Sequence, residues 1–321
     1  MPIFPPIFRF TALVLLVLVL TACGQKPGPG KLYWIQPLKG HPVHQMTQIA
    51  FKAGCAKEGF VGEIIGTDAA DIGGTIALAE QVIARGDAKG LAVWANSPAW
   101  KPLIERARRA GIPVVIPHFP MPEGSLPGAT GVIACDPAAY AREAARFIGE
   151  QIKGAGTVAI TQGGFNSTEN QVSEVFIAEL RRLHPAVKVV GPEEEGFDPA
   201  KSIAKAAAIL QANPGVVAAL STTGGGPITW AGAQKETGRR LVVVGVDYTR
   251  VNLDLIERGE VQAVIAQPLW EESFGAAGLL ATVVKGGKIP WWTTLPAPLV
   301  GKDGLGPYRA ILDQVEAAIR K

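Results

Sequence analysis

No cluster of lysines and arginines interleaved with aromatic rings runs anywhere along this chain, and 31 basic against 28 acidic residues leave a formal charge of only +3. A nucleic-acid groove needs such a cluster, so neither DNA nor RNA is an expected partner. The marks of an enzyme are missing too. No GxSxG elbow follows a strand candidate, no P-loop lysine follows the glycines at Gly224 to Gly226, and the HPVH at His41 to His44 lacks the acidic neighbour of a metalloprotease helix. Nothing sets a nucleophile beside a base, so no catalytic residue and no cofactor are expected. Low-complexity sequence is confined to one short stretch. With 48% hydrophobic and 18% charged residues over 321 positions, the rest is material for two globular domains.

The apolar run Phe10 to Leu20 follows Arg9 and is too short to cross a bilayer comfortably. A short apolar segment with a basic flank and small residues after it reads as a secretory signal. Leu20, Thr21, Ala22 and Cys23 then resemble a bacterial lipoprotein box, which implies cleavage before Cys23 and acylation of that residue. Several acyl chains on Cys23 supply the two signals that stable anchoring needs. Gln25 to Gly30, QKPGPG, can hold neither helix nor ladder and reads as a tether. The expected location is therefore the periplasm or cell surface, with the folded part anchored through Cys23. Cys55 and Cys135 remain beyond the signal, one expected in a helix and one at a strand end, and are read as buried free thiols.

Strand candidates then alternate with segments of helical periodicity: Leu32 to Gln36, Gly62 to Ile65, Leu91 to Ala95, Pro113 to Pro117 and Gly131 to Ala134. The rhythm starts again at Thr157 to Thr161, Val187 to Val190, Val216 to Ser221, Leu241 to Asp247 and Val261 to Ala266. Two doubly wound α/β sheets of similar size are the implied fold class. Phe119 to Gly128 is rich in proline and glycine, Trp270 to Lys285 reads as a helix, and Arg309 to Lys321 as a closing amphipathic helix packed on the second domain.

In such sheets the C-terminal strand ends face one crevice, so the residues just past each strand are the site candidates. They are His41 and His44, Trp94 and Asn96, and His118 and Phe119 in the first half. In the second they are Asn166 and Asn170, Phe197 and Asp198, Thr222 and Thr223, then Asp247 and Gln267. Asp247 ends the run LVVVGVDYT and either caps the next helix or accepts hydrogen bonds from a ligand. Amides, hydroxyls, a carboxylate and rings suit a small polyhydroxylated molecule.

The strand-end HPVH, GIPVVIPHF, the segment Asn166 to Phe176, VVGVDYT and VIAQP, in that order and spacing, resemble the ribose-binding-protein family of type I periplasmic binding proteins. The similarity spans Lys31 to Val300. It implies two Rossmann-like lobes joined by three crossovers, closing on a sugar or sugar-like ligand for an ABC importer. The implied division is a signal over 1–22, a tether over 23–30, a first lobe from 31–135 with 268–297, and a second from 136–267 with 298–321. The family's ligand positions fall on His41, His44, His118, Phe119, near Asn170, and on Phe197, Thr223, Asp247 and Gln267. Where the family carries an aromatic sandwich and an Asp-Arg pair, this chain has His41, His44, His118 and Phe119. Trp94, Trp230 and Trp270 are candidates for the missing stacking surface. The expected partners are a small-molecule ligand and a membrane permease, with the protein itself a monomer. A sensor for a signal such as a furanone-type autoinducer would use the same lobes. A zinc protein would need His41, His44, His118 and Asp247 to meet at one ion.

Overall fold

The computed structural model describes residues 30–320, so the signal, Cys23 and nearly all of the tether lie outside the described residues. Among the described residues no helix is long and apolar enough to cross a membrane.

A first sheet gathers β1 (Lys31–Ile35), β2 (Val61–Ile65), β3 (Ala88–Val93), β4 (Val114–Pro117), β5 (Gly131–Cys135) and β11 (Trp292–Leu295), in the order β11-β5-β4-β3-β1-β2. A second gathers β6 (Thr157–Gln162), β7 (Lys188–Glu194), β8 (Val216–Ser221), β9 (Val242–Val246), β10 (Ala263–Ile265) and β12 (Leu299–Val300), in the order β12-β10-β9-β8-β6-β7. The two orders match strand for strand, and each reverses direction beside its first strand. All pairings are parallel except that of β12 with β10. The chain passes from one sheet to the other after β5, after β10 and after β11.

Helices α1 (Pro42–Lys57), α2 (Ile72–Arg85), α3 (Lys101–Arg109) and α9 (Leu269–Val284) cover the first sheet, with α9 lying along α1. The second is covered by α4 (Pro137–Gln151), α5 (Ser167–Leu183), α6 (Pro199–Ala212), α7 (Gly226–Thr237), α8 (Arg250–Glu257) and α10 (Leu305–Ile319). Apolar residues alternate between the two faces. Leu32 and Trp34 share a core with Phe51 of α1 and Leu280 of α9, while Tyr33 and Ile35 join Leu103 and Ile104 of α3. In the second sheet Val158 and Ile160 pack with Phe176 of α5. Each such side chain, once removed from water, contributes roughly 1.5–3 kcal/mol.

The expected strands are all present, shifted at most by a few residues. Edge strands β11 and β12 were not anticipated, and α10 begins at Leu305 rather than Arg309. It docks on α8 through Arg309 to Asp254 and Glu257, and through Arg250 to Asp313 and Glu316. Cys55 on α1 and Cys135 on β5 are buried and unpaired, and burial pushes the Cys55 thiol up to about 12.

Candidate functional site

The strand ends of each sheet are built by the same local device. Backbone N–H groups just past β3 and β8 reach across to the first strand of their own sheet: Trp94 to Ile35 and Thr222 to Thr161, each at 3.0 Å. Past β4 and β9 the chain turns through a non-glycine residue with positive φ, His118 at 73° and Asp247 at 71°. Their N–H groups donate to the neighbouring strand at the equivalent positions Ile133 and Ile265, both at 2.9 Å. Side chains rarely adopt that left-handed region, and holding one there costs of order 1 kcal/mol or more, which the surrounding bonds must offset. At Asp247 the bonds come from Asn252 of α8, whose amide donates to the carbonyls of Asp247 and Gly224 at 3.0 Å and of Val246 at 3.3 Å.

Asp247 does not cap α8. Thr249 does, accepting from the N–H of Asn252, so the capping alternative for Asp247 falls. The Asp247 side chain is 6% exposed and its Oδ1 has no hydrogen-bond partner. A Cβ on Gly224 would collide with its Oδ2, so the turn after β8 needs glycine there. Likewise a Cβ on Gly226 would occupy the space of the Ser221 side chain, so the chain passes from β8 to α7 through a tight turn.

On the first-lobe side five rings assemble. The His118 imidazole stacks on Trp94 at 4.4 Å and 12°, and Phe119 stands edge-on to both rings. His44 leans on the other side of the group at 5.3 Å from Trp94, with His41 5.4 Å from His44. His44 Nδ1–H donates to the Pro37 carbonyl at 2.9 Å, and burial holds its pKa down at about 4, so this ring is neutral at pH 7. Trp94 is thus covered rather than free, and Trp230 is fully buried with its Nε1–H on Thr161. Those two tryptophans pack the cores instead of offering a stacking face, while Trp270 is half-buried at the start of α9. His118, 14% exposed, is the plate on top of the group. Nor do the histidines converge on an ion: Trp94 pairs with both His44 and His118, and no group of three or more His, Cys, Asp or Glu fit for a metal occurs among the described residues.

Two carboxylates that strand-end reading did not pick out lie at the same edge, Glu169 half-buried and Glu272 buried. Glu169 on the first turn of α5 accepts from the Gly163 N–H at 2.7 Å, Asn166 Nδ2 at 2.7 Å and Thr222 Oγ1 at 2.6 Å. Glu272 on the first turn of α9 is wholly buried and accepts from His118 Nδ1 at 2.9 Å. Desolvation raises the pKa of all three acids, that of Asp247 to about 7, with His118 pulling Asp247 and Glu272 back and Thr222, Gly163 and Asn166 pulling Glu169 back. Burial alone would lower His118, but the charge and hydrogen bond of Glu272, with Asp247 and Glu169 beyond, raise it above the usual histidine value. No lysine or arginine bonds to any of these four groups among the described residues.

The remaining candidates are placed as follows. Gln267 is buried, its amide 3.4 Å from the Tyr140 hydroxyl. Asn96 accepts from Trp100 Nε1 at 3.1 Å, which ties it to its own loop. Asn166 and Asp198 are the caps of α5 and α6, and Asn170 is half-buried one turn into α5. Thr223 is half-buried beside Gly163, which also meets the ring of Phe197, itself 73% exposed.

Solved structures with this arrangement of two lobes are numerous. A solute binding protein from Burkholderia graminis C4D1M in complex with D-arabinose superposes with a TM-score of 0.80 at 21% identity, covering 88% of this chain and 98% of that one. A glucose-galactose binding protein from Geobacillus stearothermophilus gives 0.79 at 20% identity over 87% and 99%. A periplasmic solute binding protein from Actinobacillus succinogenes 130z with bound D-allose gives 0.78 at 17% over 87% and 100%. No curated protein matches the chain in sequence. The family model described as periplasmic binding protein domain matches residues 32–288. With that match over most of its length and two lobes of type I topology, the chain belongs to the periplasmic binding protein family.

Proposed function

We propose that this protein is a lipid-anchored, extracytoplasmic substrate-binding protein that closes two lobes over a small polyhydroxylated ligand and delivers it to an ABC importer. The lobes are 31–135 with 268–297 and 136–267 with 298–321, and Cys23 carries the anchor. Asp247 is the observation that carries the reading. A nearly buried carboxylate whose Oδ1 finds no hydrogen-bond partner among the described residues, held at a strained position at the strand ends, supports a site that takes its donors from a ligand. Ligand hydroxyls fit that description. Contacts made by both lobes at once would then shift the balance between open and closed forms, because only such contacts distinguish the two.

The charge balance narrows the ligand. Asp247, Glu169 and Glu272 outnumber the single cationic candidate His118, so a sugar acid would bring a further negative charge into a site with no arginine to meet it. A neutral sugar or polyol is the reading, with His118, Phe119, Asn170, Thr223, Asp247 and Gln267 in contact and His41, His44 and Phe197 at the rim. The sugars bound by structural neighbours define the test. D-Arabinose, D-allose, D-glucose, D-galactose and matched sugar acids are screened by thermal shift, since a ligand that binds only the folded state raises its melting temperature. A neutral sugar is expected to stabilise the wild type, and Asp247→Ala to weaken its binding by tenfold or more, as loss of charged hydrogen bonds at roughly 1.5–3 kcal/mol each requires. Unchanged affinity in Asp247→Ala removes the cleft assignment.

A further inference from the structure

Helix α9 is apolar on the side that packs along α1, and yet it buries Glu272 completely. An ionised carboxylate in such a place is costly unless it is paired, and its partner lies 154 residues away in sequence, on the opposite end of the first lobe's connectivity. That partner is His118. Three contacts fix the ring: the stack on Trp94 at 4.4 Å, the edge of Phe119 at 4.9 Å, and the bond from Nδ1 to Glu272 Oε1 at 2.9 Å. With Nδ1 committed to the carboxylate, Nε2 is the nitrogen left for anything outside the ring's own shell. The backbone adds a further constraint through the positive φ of His118.

The titratable groups whose charge bears on His118 come from four elements. Glu272 is on α9, Asp247 follows β9, Glu169 is on α5, and His44 is on α1. Three of the four are acids and the fourth is a neutral ring. The orphaned Oε2 of Glu272 and Oδ1 of Asp247 show that this cluster holds more acceptors than the protein's own donors satisfy.

We propose that Glu272 is a positioning residue of the ligand cleft, holding His118 oriented and doubly protonated so that the first lobe meets an acceptor oxygen of the ligand with an imidazolium Nε2–H. His118 is then the single cation of the site, facing the acceptor Asp247 on the other lobe. A ligand spanning the two must offer an acceptor to one and a donor to the other, as a pair of sugar hydroxyls does. The part concerning the ligand rests on the sugar-binding reading above; the protonation of His118 does not.

The test therefore has two arms. Long-range proton–nitrogen correlation of the histidine rings, on the full chain held in detergent micelles, reads the protonation of His118 directly. The expected result is both ring nitrogens protonated at pH 7 in the wild type, and a neutral ring at pH 7 in Glu272→Gln, with Glu272→Asp restoring the charge. A neutral wild-type ring at pH 7, or one titration curve shared by wild type and Glu272→Gln, overturns the proposal, and the wild-type measurement decides even if the variant fails to fold. In the second arm the sugar giving the largest thermal shift among the four neutral sugars is titrated at pH 6 and pH 9. At pH 6 Glu272→Gln is expected to bind about tenfold more weakly than wild type, and at pH 9, where Asp247 has titrated in both proteins and neither ring is charged, the two affinities are expected to converge. Wild-type affinity and pH profile in Glu272→Gln overturn the proposal. If no sugar binds the wild type, the sugar reading fails by itself, and the ring measurement still decides the role of Glu272.

Discussion

At the end of β4 the chain turns through His118, and at the end of β9 it turns through Asp247, with φ within two degrees of each other at 73° and 71°. The equivalence goes deeper. Gln36 past β1 bonds Thr47 on α1, and Gln162 at the end of β6 bonds Ser173 on α5, in each case eleven residues on. Trp94 and Thr222 occupy matching places past β3 and β8. What differs is what the shared backbone presents. The first lobe stacks rings, Trp94 with His118, Phe119 and His44, while the second knits side-chain oxygens, Glu169 with Thr222, Asn166 and the Gly163 amide. A duplicated scaffold thus fixes where ligand-facing groups stand, and the side chains written on it decide which chemistry each half supplies.

The contrast is most easily broken at Trp94 and Thr222. Trp94→Ala removes the ring beneath His118 and leaves a cavity, at an expected cost of about 3–5 kcal/mol in denaturant unfolding. Thr222→Ala removes one bond to Glu169 and is expected to cost about 1–3 kcal/mol. Equal costs would mean that the first lobe's edge does not depend on its stack in the way the geometry indicates.

The next effect is electrostatic and has a definite sign. Burial raises Asp247 from 3.8 to about 7, so the folded chain holds a proton that the unfolded chain has already lost. Stability from this group is therefore full below the unfolded value, falls as pH rises through the window between the two, and stays low above it. Asp247→Asn is expected to stabilise the ligand-free protein at pH 8 by on the order of 2–4 kcal/mol, and by nothing at pH 4, in thermal unfolding followed at both pH values. A variant no more stable than wild type at pH 8 would place the second lobe's acid in a wetter site than its burial implies.

How far the sequence carried the reading differs between these groups for physical reasons. Asp247 and Gln267 follow apolar runs, and such runs mark strand ends wherever the sheet is parallel and buried on both faces. The same logic brought out His118, Phe119 and Trp94, though not that His118 covers Trp94, because stacking depends on rotamers. Glu169 and Glu272 escaped for another reason. An acid in the first turn of a helix complements the helix dipole, and nothing in the spacing separates that ordinary role from a buried bond to Thr222 or His118. Strands β11 and β12 were missed because runs of four and two residues beside prolines carry no period. The Gln-to-Thr and Gln-to-Ser spacing was present in the sequence but acquires meaning only once β1 and β6 are seen as equivalents.

The smallest effect at neutral pH sharpens the comparison most directly, because it writes one lobe's residue into the other. His44 and Asn170 stand at the same distance, eight residues, beyond the paired glutamines Gln36 and Gln162. His44→Asn keeps a donor near the Pro37 carbonyl and gives up part of the contact with Trp94, so at pH 7 the stability is expected to change by no more than about 1 kcal/mol. In acid the two proteins part. Burial lowers His44 from 6.5 to about 4, so its contribution is whole above the unfolded value and is lost as pH falls toward the folded one. Thermal unfolding at pH 4.5 should then favour the variant over wild type by roughly 2 kcal/mol relative to their difference at pH 7. If the two lose stability in parallel on acidification, His44 is not the buried neutral ring that supports the stack, and the first lobe's aromatic edge must rest on Trp94, His118 and Phe119 alone.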